Sequence, residues 1–356
     1  MIMRTPSVAN SVANNVANSV ANSVANSFAK FVAKASASML LLASLPANAL
    51  NLNYDSLSSL EQPLAAQYAD ITFNLSGLVD AAVNYSSDDD DLSLLGNFQV
   101  SAETQLANSW TLGAAYFAEY SSANNDDDNY SDNAGVYLGG VWGTVSIGNV
   151  TGLVREQTRR SRGIGNAGLN FDDQLGQLDD TGLAYVGRFG ATRLIATIDD
   201  DGGYEIGGVF QRPIGNKDYR FSLQYRDSTS SSDVTVIEFD SKGLGLVAEL
   251  TYASSVFDIG VGLEQVSISN FSVDRRYVSF GAVHKVGVLT FSVEAHFGDT
   301  DGDDETSYAA GLSYDIARGM SLNAGLNYSD AQVDLNGFAL LDDDRSEGIL
   351  SFRYSF

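Results

Sequence analysis

The chain has no cysteine, only four prolines and two histidines, and no apolar run long enough to cross a bilayer as a helix. Without cysteine there is no disulfide framework and no thiolate metal site. Few prolines leave the backbone N–H groups that long ladders of paired strands need. A membrane helix takes about 20 apolar residues. If this chain spans a membrane, it does so as a closed barrel, the other structure that satisfies every backbone group in lipid. Signals of catalysis are also scarce. His296 shares a strand face with Ser292 and Glu294, but residues spaced i, i+2, i+4 lie in a row and do not converge as a triad must. No glycine-rich phosphate loop follows a strand and opens a helix. We expect no enzyme and no cofactor.

Positive charge is the other shortage, with 20 basic residues against 45 acidic ones. Residues 1–49 read as a secretory leader. Lys30 and Lys34 precede the small and apolar run 35–45, and Ala47-Asn48-Ala49 supplies a cleavage site, so the mature chain is expected to start near Leu50. The alternative, a membrane anchor, needs a longer and bulkier run. The leader contains Arg4, Lys30 and Lys34 and no acid; without it 17 basic residues remain against 45 acidic, a net charge of −28. Nucleic-acid binding needs a basic face and is excluded. Residues 8–27 repeat Val-Ala-Asn-Ser, a low-complexity extension of the leader or a start site set too early.

Tyrosine, phenylalanine and glycine are abundant (17, 18 and 34). From Ile71 onward they fall into a period of two, the signature of strands whose side chains alternate between faces. Phe73, Leu75, Val79 and Val83 oppose Thr72, Asn74, Asp80 and Asn84. Tyr219, Phe221, Leu223 and Tyr225 oppose Arg220, Ser222, Gln224 and Arg226. Phe291, Val293 and Phe297 oppose Ser292, Glu294 and His296. The chain ends Phe352-Arg353-Tyr354-Ser355-Phe356, with aromatics at every second position. Connections alternate strictly between short turns (106–109, 142–143, 189–190, 214–216, 253–255, 285–288, 318–319) and long, mostly acidic ones (88–91, 121–132, 150–180, 199–203, 228–241, 267–274, 299–305, 331–347). Seven of one kind and eight of the other require sixteen strands. The expected fold is all-β: a transmembrane antiparallel up-and-down β-barrel over 71–356, with short periplasmic turns and long extracellular loops. Residues 234–252 are read as part of a long loop or as an extension of the strand 243–252. Residues 50–70 carry leucines at 57, 60 and 64, broken by Pro63. They read as a periplasmic extension or as a short helix in the pore.

The longest connection without a strand pattern is 150–180, and a structureless loop of that length in a compact fold is usually functional. It holds Arg155, Arg159, Arg160 and Arg162, then Asp172 and Asp173. The strand before it, 143–148, is short. On strand order, loop placement and the terminal Phe356, residues 71–356 resemble the general diffusion porins of Gram-negative bacteria, most closely the alphaproteobacterial type. The resemblance implies a passive outer-membrane channel for ions and small hydrophilic solutes. It implies that the third loop folds into the barrel and narrows the pore, and that three copies assemble as a homotrimer. Phe352, Tyr354 and Phe356 resemble the signal read by the barrel assembly machinery. In that family the inserted loop is typically acidic and faces a basic wall; here it opens with an arginine cluster, which leaves the sign of the constriction open.

Charged rings set ion selectivity in pores. The candidates are the loop arginines with Asp172 and Asp173, and a lumen wall of Asp80, Glu103, Glu119, Arg193, Arg220, Arg226, Glu264, Glu294 and Arg353; each of these could equally pair with a neighbour or face water. Clustered carboxylates are hard oxygen ligands. Asp299, Asp301 and Asp303 are weak candidates for loosely held Ca2+ or Mg2+, which could also bridge the loops to lipopolysaccharide and outer-membrane lipid. Two other readings stay open: a closed structural or adhesive barrel, and an outer-membrane hydrolase.

Overall fold

A computed structural model describes residues 64–86, 90–122, 129–150, 152–160, 163–165, 178, 181–232, 237–268, 271–335 and 338–356. The leader 1–49 and residues 50–63 lie outside the described residues.

The alternating segments form strands. In chain order they are β1 (Leu64–Tyr68), β2 (Ile71–Ser86), β3 (Asp90–Gln105), β4 (Thr111–Ser122), β5 (Asn129–Gly140) and β6 (Gly143–Asn149). A short helix α1 (Leu153–Thr158) follows, then β7 (Thr181–Phe189), β8 (Thr192–Asp199), β9 (Tyr204–Ile214), β10 (Lys217–Ser232) and β11 (Ile237–Tyr252). The last six are β12 (Ser255–Ile268), β13 (Phe271–Val286), β14 (Leu289–Thr300), β15 (Asp303–Ala317), β16 (Met320–Leu335) and β17 (Phe338–Ser355). Each strand from β2 to β17 pairs antiparallel with the next, and β17 returns to pair with β2. Sixteen strands therefore close a barrel, as the alternation of connections requires.

The barrel is inside out relative to a water-soluble protein. Phe221, Leu223, Phe257 and Val293 are exposed on the outer face, while Ser222, Asp258, Glu294 and His296 are buried on the inner one. Only a solvent of lipid outside makes that pattern favourable. Aromatic rings pack side by side at both ends of the outer surface: Trp110 on Trp142 (5.8 Å) at the short turns, Tyr204 on Tyr225 (6.0 Å) and Phe297 on Tyr308 (5.8 Å) near the other end.

Two expectations change, and one left open between two readings is decided. Several of the long connections are in part ladder among the described residues. β10 and β11 stay paired out to Ser232 and Ile237, β14 and β15 to Thr300 and Asp303. The apolar alternation stops where lipid stops, but backbone pairing needs no apolar face and continues into water. Residues 237–252 accordingly form one strand, the extension reading of that segment. Third, residues 64–68 are neither a free extension nor a pore helix. They form β1, which pairs with Ile71–Leu75 of β2 directly beyond the point where β17 ends against Gly77. Leu57 and Leu60 lie outside the described residues; from Leu64 the chain pairs because the lower edge of β2 would otherwise keep unpaired N–H and C=O groups.

Candidate functional site

The seam holds the chain terminus. Phe356 exchanges both backbone hydrogen bonds with Gly77, each 2.9 Å, and its ring packs 5.8 Å from that of Tyr354. Phe352 faces outward. On the inner face, Arg353 stands directly opposite Asp80 and donates Nε and Nη2 to its Oδ2, at 2.9 and 2.5 Å. The three terminal aromatics thus lie on or beside the strand that closes the barrel.

The connection after β6 turns inward. Val154 of α1 packs with Ile195 and Val209, and Leu178 with Val150 and Ala184, all nearly inaccessible to solvent. These are inner-face residues of β7, β8 and β9, so the segment lies against the lumen wall. From there it crosses the wall in a line. Thr158 donates Oγ1 to Gln224 Oε1 at 2.6 Å, and Ser222 Oγ donates to the Thr158 carbonyl. Arg160 reaches Asp258 on β12, Nη1 to Oδ1 2.9 Å, and Glu294 on β14, Nη2 to Oε2 3.7 Å. Gly163 donates its N–H to Glu294, and Ile164 donates to Ser292 Oγ at 2.9 Å. Two glycines clear the path: a Cβ at Gly260 would lie 2.8 Å from Arg160 Cδ, and one at Gly311 would collide with the Ile164 carbonyl.

Arg220 holds the end of α1. Its Nη2 donates to the carbonyls of Gln157 and Arg159, 2.8 and 3.0 Å, while Nη1 pairs with Glu249 at 3.3 Å. A guanidinium at a helix C-terminus satisfies orphan carbonyls and opposes the helix dipole. Arg193 donates Nη1 to the Gln157 side chain. Arg155 is half buried; burial lowers its guanidinium pKa, and the charge of Glu205 opposes that shift.

A second network occupies the inner wall of β10–β15. Arg226 pairs with Glu264 (3.0 Å), Arg275 bridges Glu264 (3.2 Å) and Glu305 (2.9 Å), and His296 Nε2 lies 3.3 Å from Glu305 Oε2. Ser279 Oγ sits 2.8 Å from His296 Nδ1. Serine, histidine and glutamate are thereby strung together across β13, β14 and β15. Ser279 and His296 are 0% exposed and Glu305 2%, and Glu305 is also held by Arg275. No substrate reaches that serine, so the chain of bonds is a wall fixture. Sequence reasoning missed it because its members come from three strands; among them only His296 stood out, paired in the sequence with the wrong neighbours.

The predicted site residues thus separate. Asp80, Arg353, Arg160, Glu294, Arg220, Arg226 and Glu264 are joined in pairs or networks. Glu103 accepts from the Tyr137 hydroxyl at 3.1 Å, and Glu119 from Asn97 at 3.5 Å, both on the half-buried wall of β3–β4. Arg155, Arg159 and Arg193 remain on the inward segment and the wall beside it. Arg162, Asp172 and Asp173 lie outside the described residues. Asp299, Asp301 and Asp303 do not converge. Asp299 shares the outer face with Phe297 and pairs with Arg276 at 3.3 Å; Asp303 shares the inner face with Glu305; Asp301 accepts the Asp274 N–H at 3.0 Å. Among the described residues no three His, Asp or Glu side chains are placed to hold a metal ion.

Comparison with known proteins agrees with this architecture. Residues 35–334 match the family model described as Gram-negative porin. No curated protein matches the sequence. Among solved structures, the trimer form of OmpT, an outer membrane protein of Vibrio cholerae, aligns with a TM-score of 0.65 at 15% identity, covering 80% of this chain and 99% of that one. The anion-selective porin from Comamonas acidovorans aligns at 0.62 and 15% identity, covering 80% and 100%. A mutant of Rh. blastica porin aligns at 0.56 and 15%, covering 80% and 100%. At such identities the likeness speaks for the fold; the family rests on the match along most of the chain. A sixteen-strand, inside-out barrel with a polar interior and that family match make this chain a member of the Gram-negative porin family, a non-enzymatic diffusion channel of the outer membrane.

Proposed function

We propose that the protein is a passive channel for ions and small hydrophilic solutes whose narrowest point is formed by the connection 150–180. The observation that carries this reading is the buried contact of Arg160 with Asp258 and Glu294, which ties the connection to the inner wall two and four strands beyond β10. A segment fixed there occupies lumen cross-section that solutes would otherwise use. The polarity is the reverse of an acidic loop on a basic wall: the loop supplies the guanidinium and the wall the carboxylates. The inward placement of the third long connection after the short strand β6 supports the alphaproteobacterial type within the family. A homotrimer is supported by the OmpT structure, which is described as a trimer.

Single-channel recording in a planar bilayer tests the reading. Stable conductance steps in groups of three are expected from a trimer of open pores. Absence of steps would mean a closed barrel.

A further inference from the structure

On the inner wall beside α1, Arg188 of β7 stands directly opposite Arg193 of β8. Both face the lumen. Ala184 and Val186 share the face of Arg188, Ile195 and Thr197 that of Arg193, and these pack under the inward connection. Both arginines are exposed. Arg193 donates to the neutral side chain of Gln157, and Arg188 makes no hydrogen bond or ion pair among the described residues. Of the carboxylates further round this wall, Glu249 pairs with Arg220, and Asp218 accepts from Gln211 through Oδ2 at 2.5 Å.

This arrangement works against stability. Like charges directly opposite in a sheet repel, and the chain has more than twice as many acids as bases from which to supply a partner. Two arginines on directly opposite positions of a lumen wall can bring their guanidinium forks to one planar or tetrahedral oxyanion, which each fork can bind with two parallel hydrogen bonds. The β7–β8 connection is one of the short turns, so the pair sits at the turn end of the barrel. The acidic runs lie at the other end, roughly 20 Å away along β7 at about 3.3 Å per residue. That is more than two Debye lengths at physiological salt, so their charge does not cancel the pair.

We propose that Arg188 and Arg193 form a station for small oxyanions, phosphate or carboxylate, at the turn-side mouth of the channel. The proposal rests on the diffusion reading above and deepens it by naming the class of solute that the pore favours. Its effect is to raise the local concentration of such anions and so their flux relative to neutral solutes of equal size.

Arg188→Glu is the informative variant. It turns the repelling pair into an opposite-charge pair with Arg193, which favours folding while removing the positive field. The full-length protein, wild type and variant, would be placed in liposomes and the entry of inorganic phosphate, succinate and arabinose measured separately at low salt. We expect Arg188→Glu to slow phosphate and succinate about five-fold or more, and Arg188→Gln about two-fold, with arabinose entry changed less than about two-fold. A fall for only one anion would assign the station to that anion. Undiminished entry of both anions, or equal slowing of all three solutes, would overturn the station. Failure of the wild type to pass arabinose would instead overturn the diffusion reading.

Discussion

Arg160 and Asp258 are 98 positions apart in the chain and 2.9 Å apart in the barrel, with side chains 2% and 0% exposed. Removing one partner of such a pair leaves an uncompensated buried charge, which costs about 3–5 kcal/mol. Arg160→Gln and Asp258→Asn should each lower the unfolding midpoint in urea. The double variant should lose less than the sum of the two, and additive losses would show that the pair is not coupled.

The glycine at 311 lets the Ile164 carbonyl touch the wall. Gly311→Val should push the inward segment off β15, widening the passage. Single-channel conductance should rise and become noisier, with barrel stability nearly unchanged because the surrounding ladder is intact. Unaltered conductance would place the segment away from the conducting path.

Among the described residues of the connection, Arg155 and Arg159 are the arginines other than Arg160, and both are half buried. A charge beside a narrow passage acts through a lower effective dielectric than one on an outer turn. Replacing both by Gln should move the reversal potential toward cation preference, and the shift should persist at high salt, where the outer acidic turns are screened. Arg160→Gln should move it less, since that charge is already balanced by Asp258 and Glu294.

Closure at the seam depends on Phe356 and on the pair Arg353–Asp80. Deleting Phe356 removes both hydrogen bonds to Gly77. The heat-modifiable, membrane-inserted form seen on gels should fall several-fold. Asp80→Asn should act in the same direction but more weakly, because Arg353 is one-third exposed and water can replace part of the bond.

The leader reading predicts a mature chain beginning near Leu50. Intact mass measurement on protein extracted from outer membranes should show loss of residues 1–49. Retention of 8–27 would contradict it.

The strands, their faces and their number were legible in the sequence. Lipid outside and water inside impose a strict two-residue alternation, and each segment shows it locally. Asp80, Arg220, Glu264 and Glu294 could be placed on the inner face by parity alone. Their partners could not, because a cross-strand contact depends on register and on the path of an inserted segment. Asp258, Ser279, Arg275 and Glu305 entered the networks only once the ladders set which residues stand side by side. The ends of the strands were misjudged for a related reason: beyond the membrane the ladder runs on without an apolar face, so the signal ends before the structure does. The chain itself determined a barrel with a charged lumen and an arginine-bearing connection. Tertiary structure alone decided that Arg160 sits on wall carboxylates, that Arg188 stands opposite Arg193, and that β1 completes the edge left by β17. Each is a relation between distant residues, fixed by closure of the ring.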